Sequence, residues 1–143
     1  MIPTPATSDE LDELISMPNE TVVAVVRSLP GRFAVLGAGG KMGFHISQML
    51  QRALVAVGRI DRVITVSRFS DAAKWEQFRR AGFEVVAADL AEADQVHALP
   101  DAENIISLAA IKFGTSGQPA VADGITQVRI PFCSPILNTM PTM

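Results

Sequence analysis

The sequence contains no tyrosine, which removes the phenol group as an acid or base. It has one cysteine, Cys133, so an internal disulfide is excluded and a reducing, cytoplasmic location is expected. Cys133 has no histidine or asparagine context for nucleophilic catalysis. The two histidines, His45 and His97, lack a paired histidine or cysteine at ligand spacing, so metal binding finds no support. No apolar run approaches the ~20 residues of a membrane span. The start, M-I-P-T-P-A-T-S-D-E, has neither the basic head nor the apolar core of a signal peptide. A net charge of −3 and a pI near 5.3 give no electrostatic case for nucleic acid or anionic membrane.

What is present is an apolar fraction of 48% in 143 residues, enough for one domain with a core, and one informative stretch. Residues 32–43 read R-F-A-V-L-G-A-G-G-K-M-G. Phe33-Ala34-Val35-Leu36 suits a buried strand, and Gly37, Gly39, Gly40 and Gly43 follow within seven residues. Met42, Ile46, Met49, Leu50, Ala53 and Val57 then mark one helical stripe. The G-x-G-x-x-G register from Gly37 meets Met42 where a small residue belongs, whereas G-x-x-G-x-x-G fits at Gly37, Gly40 and Gly43. Strand, glycine turn and helix together form the context in which such a motif binds a pyrophosphate. Glycines permit close backbone approach, and the helix N-terminus offers free N–H groups and a positive dipole end. The alternative is a glycine turn that merely packs strand on helix.

Thr7-Ser8-Asp9-Glu10 matches a capping box ahead of Leu11, Leu14 and Ile15, predicting a short helix. A second helix is expected from Pro18 to Leu29, although the β-branched run Val22–Val26 also suits a strand. From residue 32 strands and helices alternate: strands near 32–36, 62–66, 83–88 and 104–110, helices near 41–57, from Ser70 through Trp75 and Phe78, and near 91–98. That cycle predicts an α/β, Rossmann-like parallel sheet of about four strands in the order 3-2-1-4, with flanking helices and two short N-terminal helices. Three parts follow: an N-terminal helical extension 1–31, a cofactor-binding half-domain 32–117, and an irregular Pro/Gly-rich tail 118–143.

The end of the second strand selects the cofactor. A carboxylate there would hold a ribose 2′-OH, and an arginine accommodates a 2′-phosphate. The chain offers Ser67-Arg68, so NADP(H) is expected over NAD(H); the alternative is a solvated arginine beside a helix cap. Asp89-Leu90 ends the third strand near an adenine site, although Asp89-Leu90-Ala91-Glu92 also reads as a capping box. Lys41 stands at the helix entrance facing a phosphate or solvent, and Lys112 follows the fourth strand near the nicotinamide side or at the surface.

With Gly37-x-x-Gly40-x-x-Gly43, Asp89-Leu90 and Leu108-Ala109-Ala110, residues 32–117 resemble the NAD-dependent epimerase/dehydratase family, the extended short-chain dehydrogenase/reductases. The resemblance implies that the glycine motif Gly37, Gly40 and Gly43 holds the pyrophosphate, that Asp89 and Leu90 contact adenine, and that Ala109 and Ala110 lie against the ribose near the nicotinamide; Gly39, Lys41 and Met42 of the same loop are counted as cofactor-binding with them. It implies hydride-transfer chemistry on nucleotide sugars. The family's Tyr-x-x-x-Lys acid/base pair is missing, and the only lysines are Lys41, Lys74 and Lys112. The expectation is therefore a cofactor-binding part truncated before its catalytic half and inactive alone. A non-catalytic dinucleotide sensor and a subunit-interaction module, with a homo-oligomer or partner covering the sheet edge, stay open. So does a hydroxyacid dehydrogenase type, whose glycine loop also ends in Met-Gly.

Overall fold

The computed structural model describes residues 4–109. Two helices, α1 (Ser8–Ile15) and α2 (Glu20–Ser28), precede a strand–helix alternation. It comprises β1 (Phe33–Leu36), α3 (Gly43–Ala56), β2 (Ile64–Ser67), α4 (Ala72–Arg80), β3 (Glu84–Ala87), α5 (Ala93–His97) and β4 (Asn104–Ser107). The four strands are parallel in the order β3-β2-β1-β4, the arrangement the sequence pattern predicts. Val35 pairs with Thr65 on one side and Ile106 on the other, so β1, like β2, is an interior strand, and β1 is buried throughout.

Alternation along the strands separates two cores. Phe33, Val35 and Val63 face α2, α3 and α4, where they meet Val26, Leu50, Ala53, Leu54, Phe78 and Phe83. Phe78 is its aromatic centre, edge-on to Phe44 at 5.3 Å and to Phe69 at 5.1 Å. Ala34, Leu36, Ile64 and Val66 face the other way, against Ala88 and Ala102. The short α5 covers that face and leaves a cavity of about 70 Å³ beneath Val96, Leu99 and Pro100.

Local signals account for the helix starts. Thr7 caps α1 by accepting from Glu10 N–H, and Glu10 reaches back to the Ala6 N–H. Asn19 caps α2, so Pro18 lies outside that helix. The β-branched run 22–26 is helical because Val22, Val23 and Val26 pack onto the first core. Asp71 caps α4 through the Ala73 N–H, correcting the expectation for Ser70. β1 ends at Leu36 as expected and β2 runs one residue further, to Ser67, whereas β3 ends one residue early at Ala87 and β4 three residues early at Ser107. Met42 is not part of the α3 core stripe; it occupies the N-cap position and is 65% exposed.

α1 sits on the body by its polar side: Asp12 pairs with His45, Glu13 with Arg52, and Ser16 is fully buried at its end. Leu11, Leu14 and Ile15 are exposed. At the opposite end of the sheet from the glycine turn, Arg59 donates to the carbonyls of Leu29 and Gly31 and to Asp61, while Arg32 pairs with Glu84.

Candidate functional site

The C-terminal ends of β1, β2 and β4 meet around the glycine turn. Gly37 leaves β1 at φ +76° and its N–H, like that of Ala38, donates to the Val66 carbonyl of β2. A Cβ on Gly37 would stand 2.7 Å from the Ala109 backbone nitrogen, so the turn is wedged between the ends of β2 and β4. A Cβ on Gly43 would overlap the Ala38 carbonyl oxygen, and this glycine lets α3 pack directly on the turn.

Gly40 differs from both. It is exposed, its φ lies outside the left-handed region, and a Cβ there would meet only the Gly37 carbonyl at an ordinary 3.5 Å. Nothing within the described residues requires a bare backbone at that position. Beside it α3 begins without a side-chain cap, in contrast to α1, α2 and α4. The N–H groups of Lys41, Met42, Phe44 and His45 find no acceptor among the described residues. The result is an open helix N-terminus with the electrostatics and donor geometry of an anion site.

The neighbouring residues are arranged around this turn in order along the sheet. Ser67 closes β2, and its Oγ would lie 2.5 Å from a Cβ on Gly39. Arg68 is exposed on the following turn. Phe69 adopts φ +45°, a strained conformation for a bulky side chain. Its ring packs edge-on to Trp75 at 5.7 Å and onto Phe78. Lys41 is exposed at the mouth. Lys74, which no motif singles out, reaches from α4 and donates from Nζ to the Gly39 carbonyl at 2.6 Å. The signal for Lys74 is tertiary, since 35 residues separate it from Gly39.

Asp89 lies beyond β3. Its carboxylate accepts from the Ala91 N–H and its own N–H donates to Gln95, forming a local turn. It does not cap α5: Glu92 holds the N-cap position and makes no side-chain capping bond. Leu90 packs against the second core, and Ala109 is exposed beside Gly37. Ala110 and Lys112 lie outside the described residues, as does the tail 118–143.

The cavity under α5 is separate from this turn. It is lined by core residues of the opposite sheet face, with His97 and Asp101 at its margin. No group of metal-ligating side chains occurs among the described residues. No described helix is long and apolar enough to cross a membrane. Comparison with protein-family models, with curated proteins and with solved structures gives no match.

Proposed function

We propose that the chain binds a dinucleotide, NADP(H) in preference to NAD(H), across the C-terminal ends of β1, β2 and β4. The observation that carries this reading is Gly40: a glycine without an internal steric reason, placed where a pyrophosphate would approach the uncapped α3 N-terminus. Ser67 and Arg68 at the end of β2, with no carboxylate in their place, support the 2′-phosphorylated cofactor. Asp89-Leu90 would border adenine, and Ala109, Ala110 and Lys112 the nicotinamide side, as in the epimerase/dehydratase resemblance.

Without tyrosine the chain has no counterpart of that family's Tyr-x-x-x-Lys pair, so binding rather than turnover is the proposed activity of this chain. A non-catalytic dinucleotide-sensing module would use the same site, and a subunit-interaction module would use the sheet edge. The subunit version draws support from the edge of β4 facing away from β1, which pairs with no strand among the described residues.

Titration with NADPH and NADH, read by Trp75 fluorescence and thermal melting, tests the proposal. A ligand that binds only the folded chain raises its melting temperature. Saturable binding that prefers NADPH and weakens in Arg68→Ala is expected. A cooperatively melting chain that binds neither would refute the reading.

A further inference from the structure

Lys74 sits in the first turn of α4, and its side chain spans the gap to the glycine turn. Its Nζ is held by the Gly39 carbonyl, and its Cδ lies 3.9 Å from where a Gly39 Cβ would stand, beside Ser67 Oγ. Ammonium, hydroxyl and bare backbone thus converge on one point, with Arg68 exposed on the adjoining turn.

Three cations gather at this point without a carboxylate partner among the described residues. Arg32, Arg52, Arg59, Arg79 and Arg80 each pair with a carboxylate elsewhere on the chain. Among the described residues, the cations with no carboxylate partner are Lys41, Arg68 and Lys74, gathered around the turn, and Arg27 and Arg62, which lie apart from it at the end of α2 and ahead of β2. Asp71, the nearest acid in sequence, directs its carboxylate to the Ala73 N–H. The chain carries a net charge of −3, yet the rim of this turn is cationic. An ammonium bonded to one neutral carbonyl keeps its full charge and two further donors. A phosphate dianion is the stronger acceptor. In a dinucleotide laid over such a sheet, the pyrophosphate meets the α3 N-terminus and the adenosine ribose lies toward the end of β2. The group on the β2–α4 side is then the ribose 2′-substituent.

Resting on the dinucleotide reading above, we infer that Lys74 is a specificity-determining residue that recognises the 2′-phosphate of NADP(H) with Ser67 and Arg68. The same ammonium holds the glycine turn through the Gly39 carbonyl, and cofactor binding would transfer it from that carbonyl to the phosphate.

The full chain and its Lys74→Gln and Lys74→Arg variants are titrated with NADPH, NADH, 2′,5′-ADP and 5′-AMP. Lys74→Gln keeps a donor for Gly39 and removes the charge. It should weaken NADPH and 2′,5′-ADP about tenfold or more, with NADH and 5′-AMP changed less than about twofold, and Lys74→Arg should recover most of the loss. In the wild-type chain NADPH, and not NADH, should protect the Lys74 amine from acetylation, a readout independent of any variant's folding. Equal losses for NADPH and NADH, or no selective protection, would overturn the inference and leave dinucleotide binding standing. Failure of the wild type to bind either dinucleotide would remove the reading beneath it as well.

Discussion

Replacing Gly43 by alanine should destabilise the fold, against the usual effect of alanine in a helix. Helix propensity alone favours alanine over glycine by about 1 kcal/mol. The added Cβ, however, would overlap the Ala38 main chain at its carbonyl oxygen, carbonyl carbon and Cα. No rotamer change relieves a clash with backbone, and Ala38 is itself anchored by its N–H to the Val66 carbonyl. Relief requires α3 to move away from β1, which disturbs the packing of Leu50, Ala53 and Leu54. Overpacking of this kind costs about 3 kcal/mol, at the upper end of its usual range. The net loss is about 2 kcal/mol, or roughly 5–10 °C in melting temperature for a chain of this size. The control is Gly40→Ala, whose Cβ meets only an ordinary contact and should leave the melt within about 1 °C of wild type. Calorimetry or circular dichroism melts of the two variants decide the matter. A Gly43→Ala protein as stable as wild type would refute the assigned role of the third glycine.

Three further outcomes follow from the same packing. Phe78→Ala should cost about 3–5 kcal/mol by denaturant titration, because Phe78 is 1% exposed at the centre of the aromatic cluster. The Arg32 N–H donates to Glu103 and holds its carboxyl below the ordinary value of 4.5, so its contribution is present above that pH and lost as pH falls through the lowered folded value. In acid titrations of stability, the difference between wild type and Glu103→Gln should therefore fade as the pH falls below about 4. Finally, α1 buries none of its eight residues and is held by Asp12–His45 and Glu13–Arg52, so amide exchange should open residues 8–15 well before α3.

Much of the architecture was legible because it follows from local pattern. Short branched runs alternating with helical stripes specify parallel strands and crossovers, and the glycine triplet marks the turn between β1 and α3. The run Val22–Val26 was ambiguous in isolation; the Asn19 cap and burial of Val26 make it helix. Met42 matched the α3 stripe in spacing, but one position before the helix its side chain faces solvent. Asp89 matched a capping box, yet its carboxylate closes its own turn two residues on. Lys74 and the strained Phe69 were beyond the sequence's reach, because the bond to Gly39 and the packing on Phe78 join segments only the fold brings together. Motif spacing encodes a turn and the helix behind it. It does not encode which side chain from the next helix leans over that turn.

The proposed dinucleotide site lies over the glycine turn. Amide chemical-shift mapping of the full chain during titration with NADPH tests it most directly. The predicted result is saturable shifts at Gly39, Gly40, Lys41 and Met42, extending to Ser67 and Arg68, with the residues around the α5 cavity unmoved. Unchanged amides at Gly40 and Lys41 at saturating cofactor, or shifts confined to Val96, Leu99 and Ala102, would contradict it.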